Sequence, residues 1–296
     1  MVKKRIDLKL VDKKNLIKAP FNYFLLYIKG LFMGLFDLVP GISGGSVALI
    51  AGIYEDLIFE INNVFSFLKS LLSFNFNKIK TAWLNISIVF IVILGVGIIS
   101  GIFLSVFTLS FLLKNYFVET MGFIAGLILL SGILLSKKYL SKNNYLFGVI
   151  GLCLGIVISI LSPIAGHSFS FFQIFLLGAI TITAMILPGI SGALILLLLG
   201  GYDFMLFALK NISDNYLVVI IFLLGAVMGL GVFSRGISYL LKKYHNKTLI
   251  FLSALMVGAT TKPIIEVSGH QNYLFSLPFF ILAILLGFIF YRKFNL

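Results

Sequence analysis

The chain has 296 residues and a net charge of +13, with 60% of its residues hydrophobic and 11% charged. With a mean hydropathy of +1.12, this composition excludes an ordinary soluble domain, in which roughly half of the residues are apolar. The basic residues stand between apolar segments, which indicates a membrane protein and argues against binding to nucleic acid. Three dispersed histidines and the lone Cys153 lack metal-ligand spacing, so we expect no metal, cofactor or disulfide.

Residues 1–20 form a basic arm, which we expect to lie on anionic headgroups at the cytoplasmic surface of the membrane. The first half of the membrane domain, residues 21–161, starts with an apolar segment that two glycines and two charges interrupt. A Pro-Gly motif follows at 39–45, and a polar connection at 66–83. Three segments of about the length that a transmembrane helix needs complete this half: 84–113, 117–135 and 145–161.

The second half, residues 162–296, repeats this organisation. The sequence Val-Pro-Gly-Ile-Ser-Gly-Gly at 39–45 recurs as Leu-Pro-Gly-Ile-Ser-Gly-Ala at 187–193, an offset of 148, and later matches continue at an offset of 128. This difference places about 20 extra residues in the polar connection of the first half. Two short apolar segments flank the second motif and three spans follow it: 171–187 and 191–207, then 216–241, 249–267 and 274–291.

Short apolar segments that meet at Pro-Gly predict a re-entrant helical hairpin, which enters the membrane and returns to the same side. Because an odd number of spans follows each hairpin, the second half must begin on the opposite side. The predicted fold is an all-α integral membrane protein of two inverted repeats, each a re-entrant hairpin plus three transmembrane helices, whose motifs approach each other at the pseudo-two-fold axis. With both termini cytoplasmic, 18 lysine and arginine residues lie inside and 3 outside, in agreement with the positive-inside rule.

The repeated motif is the candidate binding site. Proline followed by glycines leaves backbone N–H groups free at a helix start, and with the helix dipole these groups favour an anion such as a phosphate. Serine hydroxyls add further donors. The alternative is that the motif only turns the hairpin and permits close packing. The candidate residues are Gly41, Ser43, Gly44, Gly45, Gly189, Ser191 and Gly192.

Charged residues at membrane depth are costly and indicate function. We expect Lys29 and Arg235 to attract the phosphate, while Asp37 is a candidate to carry a coupled proton. A structural pair of Lys29 with Asp37 is the alternative for the first hairpin, and Arg235 could instead snorkel to the membrane surface. Glu55 is a second candidate for proton coupling, or an interfacial anchor.

The spans lack the parts of a catalytic centre, because they contain no serine-histidine-acid set, no paired carboxylates and no metal cluster. We therefore expect a transporter and not an enzyme. A small-anion channel or exchanger is the alternative, since it too would place helix N-termini at its site. A membrane enzyme that acts on lipid phosphates is a further alternative.

At these residues the chain resembles the bacterial polyprenyl-phosphate transporter family (PopT). The resemblance rests on 30–54, which include the first motif and Asp37, and on 184–192, which include the second motif. It implies a flippase of the bacterial cytoplasmic membrane that returns undecaprenyl phosphate from the outer to the cytoplasmic leaflet, where the carrier lipid is reused in peptidoglycan synthesis. The implied partners are polyprenyl phosphate and membrane lipids.

Overall fold

The computed structural model describes residues 20–37, 43–163 and 169–294, and every regular element in these ranges is a helix. Most of the basic arm and Gly41 of the first motif lie outside them. The first half contains α1 (Pro20–Asp37), α2 (Gly44–Ile50), α3 (Tyr54–Leu71), α4 (Phe76–Leu84), α5 (Ile88–Asn115), α6 (Phe117–Tyr139) and α7 (Tyr145–Ile160). The second half contains α8 (Phe171–Ile186), α9 (Gly192–Leu198), α10 (Tyr202–Lys210), α11 (Ile212–Ala259), α12 (Thr261–Ser268), a 3₁₀ turn (Tyr273–Phe275) and α13 (Ser276–Phe294).

Within the described ranges, three segments are long and apolar enough to cross a bilayer, or up to four if a bent pair is one span: Ile88–Asn115, Phe117–Tyr139 and Ile212–Ser268. The 48 residues of α11 would measure about 72 Å if straight, more than twice a hydrocarbon core of ~30 Å. The backbone leaves the helical conformation at Tyr244, where φ is −130° and ψ is 42°. This break lies between the predicted spans 216–241 and 249–267, so it divides α11 into two segments that correspond to them.

Large apolar side chains face outward on these helices. On α5, the exposed fractions are 70% for Ile99, 69% for Phe103 and 63% for Phe107, whereas Gly97 and Gly101 on the same helix are buried. Such a surface would be unfavourable in water and is stable against lipid tails, with the small residues at the helix contacts. The protein is therefore an integral membrane protein, as its composition predicted.

Parallel helix pairs with the same contacts occur in both halves. The backbones of α1 and α5 approach so closely that a Cβ added to either of two α5 glycines would overlap a carbonyl oxygen of α1. The first segment of α11 contacts α8 in the same way, at residues offset by 148 in α8 and by 128 in α11. The facing residues are Gly97 with Tyr27, Gly101 with Leu31, Gly225 with Phe175 and Gly229 with Ala179.

The last helix of each half packs against the other half. Helix α13 lies parallel to α6, and α7 lies parallel to the second segment of α11, again with glycines at the points of closest approach. Each half therefore depends on the other to bury its last helix. The facing residues are Gly122 with Ser276, Gly126 with Phe280, Gly151 with Phe251 and Gly155 with Leu255.

The returning arm of each hairpin is shorter than predicted. The segment 191–207 was expected to be one helix, but it is divided into α9 and α10, which are bent by 109°. Gly200 causes the break, because its φ of +72° lies in the left-handed region that favours glycine. Gly52, at the equivalent position, separates α2 from α3 with a φ of +69°. Each returning arm is thus a seven-residue helix of about 10 Å.

The connection at 66–83 is also more regular than predicted. It contains the end of α3 and most of α4, and Phe67 packs against Trp83 with ring centroids 5.2 Å apart. At the turn between the two helices, Phe74 is 93% exposed. This helical pair is the main feature of the first half that the second half lacks.

Candidate functional site

The second Pro-Gly motif meets the described end of the first motif inside the protein, as their repeat predicted. The Ser43 hydroxyl donates a hydrogen bond to the carbonyl oxygen of Leu187 at 3.0 Å. In return, the Gly189 N–H donates to the Ser46 hydroxyl oxygen at 2.7 Å. Both serines are buried, so these bonds join the tips of the two hairpins in a setting with little competition from water.

Glycine is required at these tips for two different reasons. Gly189 has a φ of +90°, and a Cβ there would lie 2.7 Å from the Cα of Met256 in α11. At Gly45, a Cβ would overlap the carbonyl oxygen of Ile186. A larger side chain at Gly45 would force the hairpins apart, while at Gly189 it would also strain the backbone.

Two backbone donors of the described motif residues are engaged within the chain. The Gly44 N–H donates to the Asp37 carboxylate, and Gly189 is bonded to Ser46. Ser191 is buried, but its side chain makes no capping bond to α9. In the first motif, the Gly44 N–H, one of the donors that the sequence assigned to a bound anion, therefore binds the chain's own carboxylate.

The side chains of Lys29 and Asp37 interact with different groups. Asp56, at the start of α3, is the acidic residue whose charge acts on Lys29, while Asp37 is bonded to the motif. No ion pair joins Lys29 to Asp37 among the residues that the structure describes. The half-buried Lys29 instead lines a cavity.

This cavity, of about 540 Å³, lies between α1, α2, α6 and α13. Its wall is mostly apolar and includes Phe32, Phe36 and Ile128. Sequence reasoning missed the contribution of α6 to the cavity wall, because Lys138 stands in a basic cluster at a helix end. The signal was the spacing of Ser131, Leu135 and Lys138, which places them on one helix face. The polar residues of the wall are Lys29, Ser46, Ser131 and Lys138.

Two predicted residues lie elsewhere. Arg235 is on the exposed surface of α11 and does not line the cavity. Glu55, at the start of α3, is hydrogen-bonded to the ring of His245 at 2.8 Å, directly after the break in α11. The cavity therefore places Lys29 in one wall with Ser46, which follows the first motif, but no described residue of that motif lines it. Arg235 and Glu55 do not line this wall either.

The cavity suits an amphiphile with an anionic head, because a long apolar wall carries ammonium groups and hydroxyls at a few positions. The described residues contain no group of histidine, cysteine or acidic side chains that could hold a metal ion. The fold and the cavity thus define a class, an integral membrane protein with an internal cavity whose apolar wall carries ammonium groups and hydroxyls.

The chain belongs to the VCA0040-like family, described as undecaprenyl phosphate translocase-like, which matches residues 33–273. It is 36% identical over 243 residues to a polyprenyl-phosphate transporter of Vibrio cholerae serotype O1, covering 81% of this chain and 77% of the relative. A polyprenyl-phosphate transporter of Staphylococcus aureus is 28% identical over 248 residues, with 78% and 81% covered. No solved structure matches significantly. The expected family is confirmed, and its named relatives are transporters, not enzymes.

Proposed function

We propose that this protein transports undecaprenyl phosphate, or another polyprenyl phosphate, across the bacterial cytoplasmic membrane. The observation that carries the proposal is the amphiphilic cavity, whose wall includes Lys29 and, from the first motif's helix, Ser46. A lysine can attract the phosphate while the apolar wall accepts the start of the prenyl chain. The names of the two relatives support the same substrate.

The arrangement proposed for this transport is a pair of inverted repeats with re-entrant hairpins. Because α1 and α5 are parallel, the chain must return between them to the side on which α1 began. Helices α5, α6 and α7 then cross in alternate directions, so α8 begins on the opposite side. The parallel pairing of α6 with α13, and of α7 with the second segment of α11, fits this path. Two opposed halves around a central site are typical of alternating access.

In this proposal the substrate contacts comprise the cavity and the motif tips. Asp37 and Glu55 are the candidates for proton coupling, and a phosphate arriving at the first motif would compete with the Asp37 carboxylate for the Gly44 N–H. Protonation of Asp37 would weaken its hold on that donor and favour phosphate entry. The proposed contacts are Lys29, Gly41, Ser43, Gly44, Gly45, Gly189, Ser191 and Gly192. Arg235, on the exposed surface of α11, is not one of them.

The proposed direction is from the outer to the cytoplasmic leaflet, so that spent carrier lipid is recycled for peptidoglycan synthesis. Both termini are cytoplasmic in this arrangement, and α6 ends at the cytoplasmic side. The cavity lysine on α6, Lys138, lies in the last turn of that helix, which places a cation where the phosphate would be delivered.

A leaflet-resolved assay in proteoliposomes tests the function. Polyprenyl phosphate is placed in one leaflet, and its arrival in the other is measured with and without the purified protein. We expect protein-dependent movement of the lipid, no flux of chloride or inorganic phosphate, and no release of phosphate from the lipid. Flux of the small anions without lipid movement would favour a channel, and phosphate release would favour an enzyme.

A further inference from the structure

We infer that Lys138 and Lys29 together hold the phosphate group of the lipid at one end of the cavity. This inference deepens the proposed function and rests on it. Among the residues that the structure describes, these two are the only charged ones in the cavity wall. Lys29 comes from the first hairpin and Lys138 from α6, so the site would be made by two elements that are far apart in the chain.

From the surroundings of the start of α3 we infer that both lysines lie toward the same end of the cavity. The ring of Tyr139, the neighbour of Lys138, is 6.0 Å from that of His245. His245 is bonded to Glu55, and the next residue, Asp56, acts on the charge of Lys29. The first turn of α3 therefore connects the surroundings of the two lysines.

The two ammonium groups can still accept an anion in the described ranges, although the charge of Asp56 acts on Lys29. Neither lysine forms an ion pair there; the ammonium of Lys138 lies 5.9 Å from the centre of the Tyr139 ring. Lys29 is half-buried in the apolar wall, where an unneutralised ammonium group is unfavourable, while Lys138 is exposed and open to an anion. A phosphate monoester can supply up to two negative charges and several acceptor oxygens, so it matches this pair better than a carboxylate would.

The second half does not repeat this charge pattern. At the offset of 148, Leu177 replaces Lys29 and Leu194 replaces Ser46; at the offset of 128, Glu266 replaces Lys138. Glu266 is 3.7 Å from Lys262, which neutralises it. The headgroup site is therefore a property of the first half alone.

The size of the cavity limits what it can enclose. From Phe123 to Lys138, the α6 wall extends about 22 Å, and a volume of about 540 Å³ is typical of pockets that hold a drug-sized molecule. The phosphate and the first prenyl units fit such a space, and a longer chain must continue into the bilayer. Affinity should accordingly depend on the phosphate and little on the length of the tail.

Binding of a short analogue tests the inference. Purified protein in detergent is titrated with geranylgeranyl phosphate and with uncharged geranylgeraniol, and the two affinities are compared. For the phosphate, we expect Lys138→Gln and Lys29→Gln each to weaken binding roughly tenfold or more, while Lys138→Arg keeps most of it. The alcohol should bind weakly to every variant.

Lys137→Gln is the matched control, because Lys137 precedes Lys138, is exposed and does not line the cavity. Its affinity should stay within about twofold of wild type. Equal affinities for Lys138→Gln and Lys137→Gln would overturn the inference. If wild-type proteoliposomes still moved polyprenyl phosphate, only this site would be wrong; if wild-type protein neither bound nor moved the lipid, the proposed function would fall as well.

Discussion

At the scale of single residues, Asp37 is a charged residue of the first hairpin that is bonded directly to the Pro-Gly motif. Its carboxylate accepts the Gly44 N–H at the start of α2, where the helix dipole also favours a negative charge. The same features that hold the carboxylate would hold a phosphate. A side chain that competes with the substrate for one donor can change its protonation state when the substrate arrives.

We predict that Asp37→Asn keeps the fold but removes the response of transport to a pH gradient. The amide oxygen still accepts the Gly44 N–H, but the side chain no longer titrates. Asp37→Ala should instead destabilise the hairpin by about 1–3 kcal/mol, because a half-buried N–H loses its acceptor. Transport would be measured in proteoliposomes with and without a gradient, and a gradient response in Asp37→Asn equal to wild type removes Asp37 from coupling.

At the scale of helices, glycine contacts determine how the pairs fit. Gly97 and Gly225 occupy equivalent places against α1 and α8, whereas a Cβ at Gly95, on the same helix as Gly97, would have no atom within 4 Å. The effect of an added methyl group on stability should therefore depend on which face of the helix carries it, even within one helix.

We predict that Gly97→Ala and Gly225→Ala each lower stability by about 1–3 kcal/mol, because the backbones must move apart. Gly95→Ala should leave stability unchanged or raise it by up to about 1 kcal/mol, since alanine favours the helix. Thermal unfolding in detergent, followed by the loss of monodisperse protein, would compare the three. Similar melting temperatures for Gly97→Ala and Gly95→Ala would contradict the close packing.

Particular elements show what the sequence could and could not predict. The duplicated Pro-Gly-Ile-Ser-Gly predicted that the motifs meet, because equivalent segments of two halves approach at their common axis. The short returning arms were missed because 191–207 is mostly apolar, although Gly200-Gly201 stands within it and the φ of Gly200 reveals a break there. Lys138 was counted among the inner basic residues, because the sequence does not show which face of α6 meets the cavity. Only that orientation distinguishes Lys138 from Lys137.

At the scale of the whole molecule, the path of the chain makes a topology prediction. With Cys153 replaced by Ser, a cysteine at Lys142 between α6 and α7 should resist an impermeant thiol reagent applied outside intact cells. A cysteine at Gln271 between α12 and α13 should react with it. Both positions are exposed, so access to the reagent depends on the side of the membrane. Labelling of the Lys142→Cys variant from outside would refute the proposed inverted arrangement.

The pairing of α6 with α13 has a consequence for the biosynthesis of the protein. Gly122 contacts Ser276, which the ribosome adds about 150 residues later, roughly 8 to 30 s at ordinary rates of synthesis. During that time α6 has no permanent partner on this face, and α7 likewise waits for the second segment of α11. The first half therefore completes its packing only when the second half has entered the membrane, and a chain truncated after α7 should be a substrate for membrane quality-control proteases.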